Sequence, residues 1–125
     1  MDKGIADLTE AIRLDPKDVG GYLIGRGIVY SQKKQFEQAI TDFSEAIQRA
    51  PETVMPYFHR GRERTLNGEL DKGIADFTEA IRLDPKLPCA YWGRGDGYRL
   101  KGDLGMAFLD FGRAVEVWER QGEKR

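Results

Sequence analysis

The most reactive side chains in this 125-residue chain are a single cysteine, Cys89, and a single histidine, His59. A thiol and an imidazole form a nucleophilic pair only when they touch, with an orienting group and an oxyanion hole to complete the site. As metal ligands they number two, where zinc needs three or four. No nucleotide-binding glycine loop, ligand cluster or triad accompanies them. The expectation is therefore a protein that is not an enzyme, with no catalytic residues, no metal and no cofactor. The other chemistry-bearing residues are charges at recurring positions: Asp7, Asp42, Asp76 and Asp110 in one segment, Arg26, Arg60 and Arg94 in another. Opposite charges matched at each recurrence suit an internal ion pair between two elements, with hydrogen bonds to a neighbouring loop. Arginines that contacted a ligand instead could be replaced without loss of stability.

The elements that position these residues are written as repeats. DKGIADLTEAIRLDPK from Asp2 returns as DKGIADFTEAIRLDPK from Asp71, and a diverged copy, FEQAITDFSEAIQRAP, lies between them. A period of about thirty-four residues is the mark of a solenoid. Small residues align at Gly4, Ala39, Gly73 and Ala107. Larger ones follow at Leu8, Phe43, Phe77 and Phe111, then alanines at 11, 46, 80 and 114, then Pro16, Pro51, Pro85 and Glu119. Upstream, Leu23, Tyr57 and Tyr91 precede three Arg-Gly pairs and then Tyr30, Arg64 and Tyr98. Small residues suit close helix crossings and aromatics fill the space beside them. Proline stops each helix and biases the residue before it away from helical geometry. The spacing predicts helices over 2–14, 20–33, 36–49, 54–67, 70–83, 88–101 and 104–121, with turns at Asn67-Gly68 and Lys101-Gly102 and N-caps at Thr53 and Asp103.

These columns resemble the tetratricopeptide repeat, whose pattern runs aromatic, leucine-glycine, tyrosine, alanine, phenylalanine, alanine, proline. Arg-Gly in place of leucine-glycine, and Arg64 at a tyrosine position, are departures. The resemblance implies an all-α fold, a right-handed superhelical array of antiparallel A and B helix pairs (an α-solenoid) of about seven helices. It divides the single domain 1–125 into a half repeat 1–18, repeats 19–53, 54–87 and 88–121, and a tail 122–125. A first B helix without its A helix reads as a piece of a longer array.

Global properties narrow the partners. A net charge of −1 gives no general attraction to nucleic acid or anionic membrane, so no nucleic-acid partner is expected. No apolar run is long enough to span a bilayer, and no signal peptide is visible, which favours a cytoplasmic protein. One cysteine forms no internal disulfide.

The family resemblance implies a concave groove lined by A helices. By correspondence the groove residues are Ile24, Ile28 and Ser31; Met55, Phe58, His59, Arg62 and Thr65; and Cys89, Trp92, Asp96 and Arg99. Gly25 and Gly93 are expected to leave room for a ligand there, and His59 and Cys89 to face a common point. Aromatics beside arginine suit a binding surface, and a helix or extended peptide suits the groove. Members that hold chaperone C-termini use a carboxylate clamp. Its positions here are Ile24, Ile28, His59, Cys89 and Gly93, none of them a clamp residue, so that partner is not expected. The expected function is a protein-interaction scaffold. The alternative is self-assembly into a homo-oligomer through the terminal helices, with Ile5, Met106, Leu109 and Trp118 as candidate contacts.

Overall fold

The computed structural model describes residues 3–14 and 18–123. Asp2, Asp15, Pro16 and the last tail residues 124–125, named above, lie outside the described residues. The described chain is all-helical: α1 (Lys3–Leu14), α2 (Val19–Gln32), α3 (Phe36–Arg49), α4 (Val54–Leu66), α5 (Leu70–Leu83), α6 (Pro88–Lys101) and α7 (Leu104–Glu123). Helices successive in the chain pack on one another, and α4 also touches α2 and α6. The result is a solenoid in which α2–α3, α4–α5 and α6–α7 are antiparallel pairs, preceded by α1.

The repeat columns form the core. Ala39, Phe43 and Ala46 of α3 are buried, as are Gly73, Phe77 and Ala80 of α5. The glycine of each Arg-Gly pair lets that phenylalanine approach: a Cβ on Gly27 would lie 2.6 Å from Cε1 of Phe43. The turns follow the same logic. Gly68 and Gly102 take φ of 84° and 90°, where glycine carries no steric cost, but the equivalent turn between α2 and α3 places Lys34 at φ 60°. Of the two expected N-caps, Asp103 accepts the Met106 N–H at 3.2 Å. Thr53 stands at the N-cap of α4 in extended geometry but makes no side-chain capping bond. The tyrosines at the start of α4 and α6 close the turns before them, Tyr57 donating to the Pro51 carbonyl at 3.0 Å and Tyr91 to that of Pro85 at 3.2 Å.

The charge columns form a ladder of nearly buried ion pairs. Arg26 grips Asp42 through Nε and Nη2 at 2.8 and 2.7 Å. Arg60 holds Asp76, and Arg94 holds Asp110, through the same two-pronged geometry at 2.8–2.9 Å. The third nitrogen, Nη1, reaches back to a hydroxyl on the preceding B helix: Thr9 at 3.1 Å, Ser44 at 3.1 Å and Thr78 at 3.3 Å. The expected partner in a neighbouring loop is thus corrected to a helix hydroxyl, so each arginine pins its own repeat and the one before it. Arg64 is explained here as well, since its Nη1 adds a further bond to Asp76 Oδ2 at 3.0 Å.

Candidate functional site

The groove residues proposed from sequence do not share one environment. One position of each A helix faces the B helix before it rather than open space. A Cβ on Gly93 would lie 2.5 Å from the Phe77 ring, and one on Gly25 would meet Leu8 at 3.4 Å. These two glycines therefore accommodate the preceding repeat and do not open room for a ligand. His59 occupies the same position in α4. Its ring stacks on Phe43 at 5.3 Å and meets the edge of Phe58 at 5.3 Å. Burial, and then the Arg62 charge, push its pKa down to about 4.

Cys89 lines an apolar pocket, and burial pushes its thiol pKa up. A cysteine–histidine nucleophile needs a stabilised thiolate beside a basic imidazole. Here both groups are held in their neutral forms, and no hydrogen bond joins them among the described residues. Nor does any group of three or more His, Cys, Asp or Glu residues form a metal-binding cluster among the described residues.

Four further candidates are engaged inside the fold, Ser31, Thr65, Phe58 and Ile24. Ser31 donates to the buried Glu63 carboxylate, linking α2 to α4. Glu63 was missed by sequence reasoning, because its position holds Val29 and Gly97 in the other copies and no column marks it. Thr65 donates to the Gly61 carbonyl at 2.8 Å and lies against Gly73, so it belongs to the α4–α5 crossing and not to the groove. Phe58 is half-buried and packs on the cluster of Tyr57, Ala80 and Ala90. Ile24 packs on Val19, Leu23 and Ala46, and lines a partly polar cavity of about 450 Å³ with Asp18, Gly21, Arg49 and Thr53. Ile28 is half-buried and Met55 exposed. Arg62 lies over the Phe58 ring at 5.9 Å. Asp96 and Arg99 pair with each other at 2.7 Å on the surface of α6.

Trp92 differs from its counterparts. It contacts Phe111 at 4.6 Å between ring centres, yet 55% of its surface is exposed. With Pro88, Cys89, Ala114, Val115 and Trp118 it lines an almost wholly apolar pocket of about 300 Å³. Trp118 stands where the other B helices have Asp84 or Ala50, so the repeat columns gave no signal for its place here. Of the self-association candidates, Ile5 is corrected: at 3% exposure it is part of the core, and Leu109 and Trp118 are well exposed while Met106 is partly so.

A protein-family model described as tetratricopeptide repeat matches residues 21–53 and 56–87. These stretches hold α2–α3 and α4–α5. Among solved structures, a crystal structure of MamA is 24% identical, covering 95% of this chain and 69% of that chain, with a TM-score of 0.87. MamA 41-end from Desulfovibrio magneticus RS-1 is 22% identical, covering 94% of this chain and 66% of that one, with a TM-score of 0.85. Another MamA crystal structure is 24% identical over 95% of this chain and 64% of that one, with a TM-score of 0.84. At these identities the likeness concerns the fold. No match was found among curated proteins.

Proposed function

This chain belongs to the tetratricopeptide repeat family, and from that premise we propose that it is an interaction scaffold whose docking point is the pocket beside Trp92. The family and the solenoid fold support a protein–protein interaction role, and the apolar lining of the pocket supports docking beside Trp92. A partner segment, helical or extended, lays an apolar anchor residue between Trp92 and Trp118. Exposed aromatics with an adjoining apolar pocket are the composition of an interface hot spot. The observation that carries this reading is the contrast along one column. Phe58 is packed into the repeat stack, whereas Trp92, its equivalent one repeat on, is left open beside a pocket of its own.

The test is a pull-down comparing wild type with Trp92→Ala. Because Trp92 is more than half exposed, its truncation leaves the fold intact, which circular dichroism verifies. Partners retained by wild type and lost by the variant support the pocket. Identical partner sets would remove it. Phe58→Ala is the less informative variant, since it empties packed space and costs about 3 kcal/mol of stability.

A second reading, self-assembly through terminal helices, is favoured by a separate observation. Outside the Trp92 pocket, α7 leaves Leu104, Phe108 and Leu109 exposed.

A further inference from the structure

The loop before α6 and the second half of α7 enclose a cavity of about 420 Å³. Lys86, Arg113 and Arg120 line it, and Glu116 is the one acid on its wall among the described residues. The wall is tied down on both sides. Tyr91 donates to the Pro85 carbonyl at 3.2 Å, and Gln121 Nε2 donates to the Lys86 carbonyl at 2.5 Å. Arg113 lies over the Tyr91 ring at 6.0 Å. Arg113, Glu116 and Arg120 also border a more open depression beside Leu109, so they stand on the rim between the two.

The repeat before has the same arrangement with opposite charges. Around Tyr57, the counterpart of Tyr91, stand Glu79, Glu52 and Arg82. One period on, these positions hold Arg113, Lys86 and Glu116, so all three charges are inverted. Arg113 thereby ends a column of acids, Glu10, Glu45 and Glu79. The inversion does not serve the helix. Glu10–Arg13 and Glu79–Arg82 each close a surface pair at 2.5 Å within one helix. The reversed order, Arg113 before Glu116, is the one the helix favours less, and it closes no such pair among the described residues. Arg120 suits the C-terminal dipole of α7, but Arg113, in the middle of that helix, gains nothing from it. None of the three cations is ion-paired among the described residues. Three cations against one carboxylate leave the cavity with two positive charges in excess and its donors uncommitted.

We propose that this cavity is a phosphoryl-binding site that receives a phosphorylated side chain of a protein partner. A phosphoryl group on a side chain carries about −1.5 to −2 charge near neutral pH and three acceptor oxygens. That charge matches the excess, and the oxygens suit two guanidinium forks. A carboxylate, with one charge, leaves a cation unmatched. The class of partner rests on the scaffold reading. The site itself does not rest on the pocket beside Trp92, with which it shares no residue.

The test is an NMR titration of the full chain with a blocked Ala-phosphoserine-Ala tripeptide, beside its serine and glutamate forms and inorganic phosphate. The phosphorylated tripeptide is expected to bind and the serine form not to. Arg113→Glu, which restores the acid of the other copies, is expected to weaken binding by about tenfold or more. Arg120→Ala is expected to weaken it by about threefold or more. Arg82→Ala removes an equal charge from an exposed pair outside the cavity and is expected to leave binding unchanged. Arg113 and Arg120 are exposed, so all variants are expected to keep the wild-type circular dichroism spectrum. No binding, equal binding by wild type and Arg113→Glu, or an equal loss in Arg82→Ala would overturn the site. Equal binding of the glutamate form would overturn the phosphoryl assignment, and tighter binding of inorganic phosphate the assignment to a partner's side chain. The pull-down with Trp92→Ala reads a different pocket, so either proposal can fail alone.

Discussion

The His59 imidazole illustrates how one side chain ties local packing to solution behaviour. In the unfolded chain a histidine takes up its proton near 6.5, whereas here burial and Arg62 delay uptake to about 4. Between those values the unfolded state binds more protons, so stability falls as pH drops from about 6.5 to about 4 and is level above that window. Allowing for partial solvent access, the loss is about 2 kcal/mol. His59→Gln is expected to abolish this component, measured as the difference between wild-type and variant urea midpoints across that range. The ion-pair ladder makes a second prediction at this scale. Asp76 holds both Arg60 and Arg64, whereas Asp110 holds only Arg94 among the described arginines. Asp76→Ala therefore leaves two arginine side chains without their carboxylate and is expected to cost about 3 kcal/mol or more, exceeding Asp110→Ala in chemical denaturation. The arginine–aspartate pairing was legible from sequence because both residues recur at fixed positions. Glu63 was not, because a buried carboxylate present in one copy only leaves no periodic trace.

Helix order and limits were nearly all legible, since proline stops, glycine turns and apolar spacing act locally on the backbone. What faces what between neighbouring helices was less so. Gly93 read as open groove because a glycine in sequence records missing volume but not the direction of its neighbour; Phe77 occupies that volume. Gly93→Ala is accordingly expected to destabilise the fold by about 1–3 kcal/mol through overpacking between α5 and α6, read from the thermal midpoint. The turn between α2 and α3 offers the opposite test. Lys34 is the only non-glycine residue with positive φ among the described residues, so Lys34→Gly is expected to stabilise the chain by about 0.5–1 kcal/mol, raising its midpoint.

At the scale of the whole molecule, the stack distributes its apolar surface unevenly. Inner repeats cover one another, so Phe58, Ile24 and Ile5 serve packing, while Trp92, Phe108 and Trp118 stay open near α7. Sequence correspondence placed candidate residues along all three A helices because every repeat looks alike in the columns. The structure separates them by what lies on either side, which no single column encodes. Trp92 lines the docking pocket together with Val115 and Trp118, and Phe108 does not. The most direct measurement is a calorimetric titration of a peptide selected on the wild-type protein, repeated with Trp92→Ala and Phe108→Glu. An anchor residue in the pocket requires that Trp92→Ala lose about tenfold or more in affinity, with Phe108→Glu close to wild type. Equal affinity for wild type and Trp92→Ala would place the docking surface elsewhere on the solenoid.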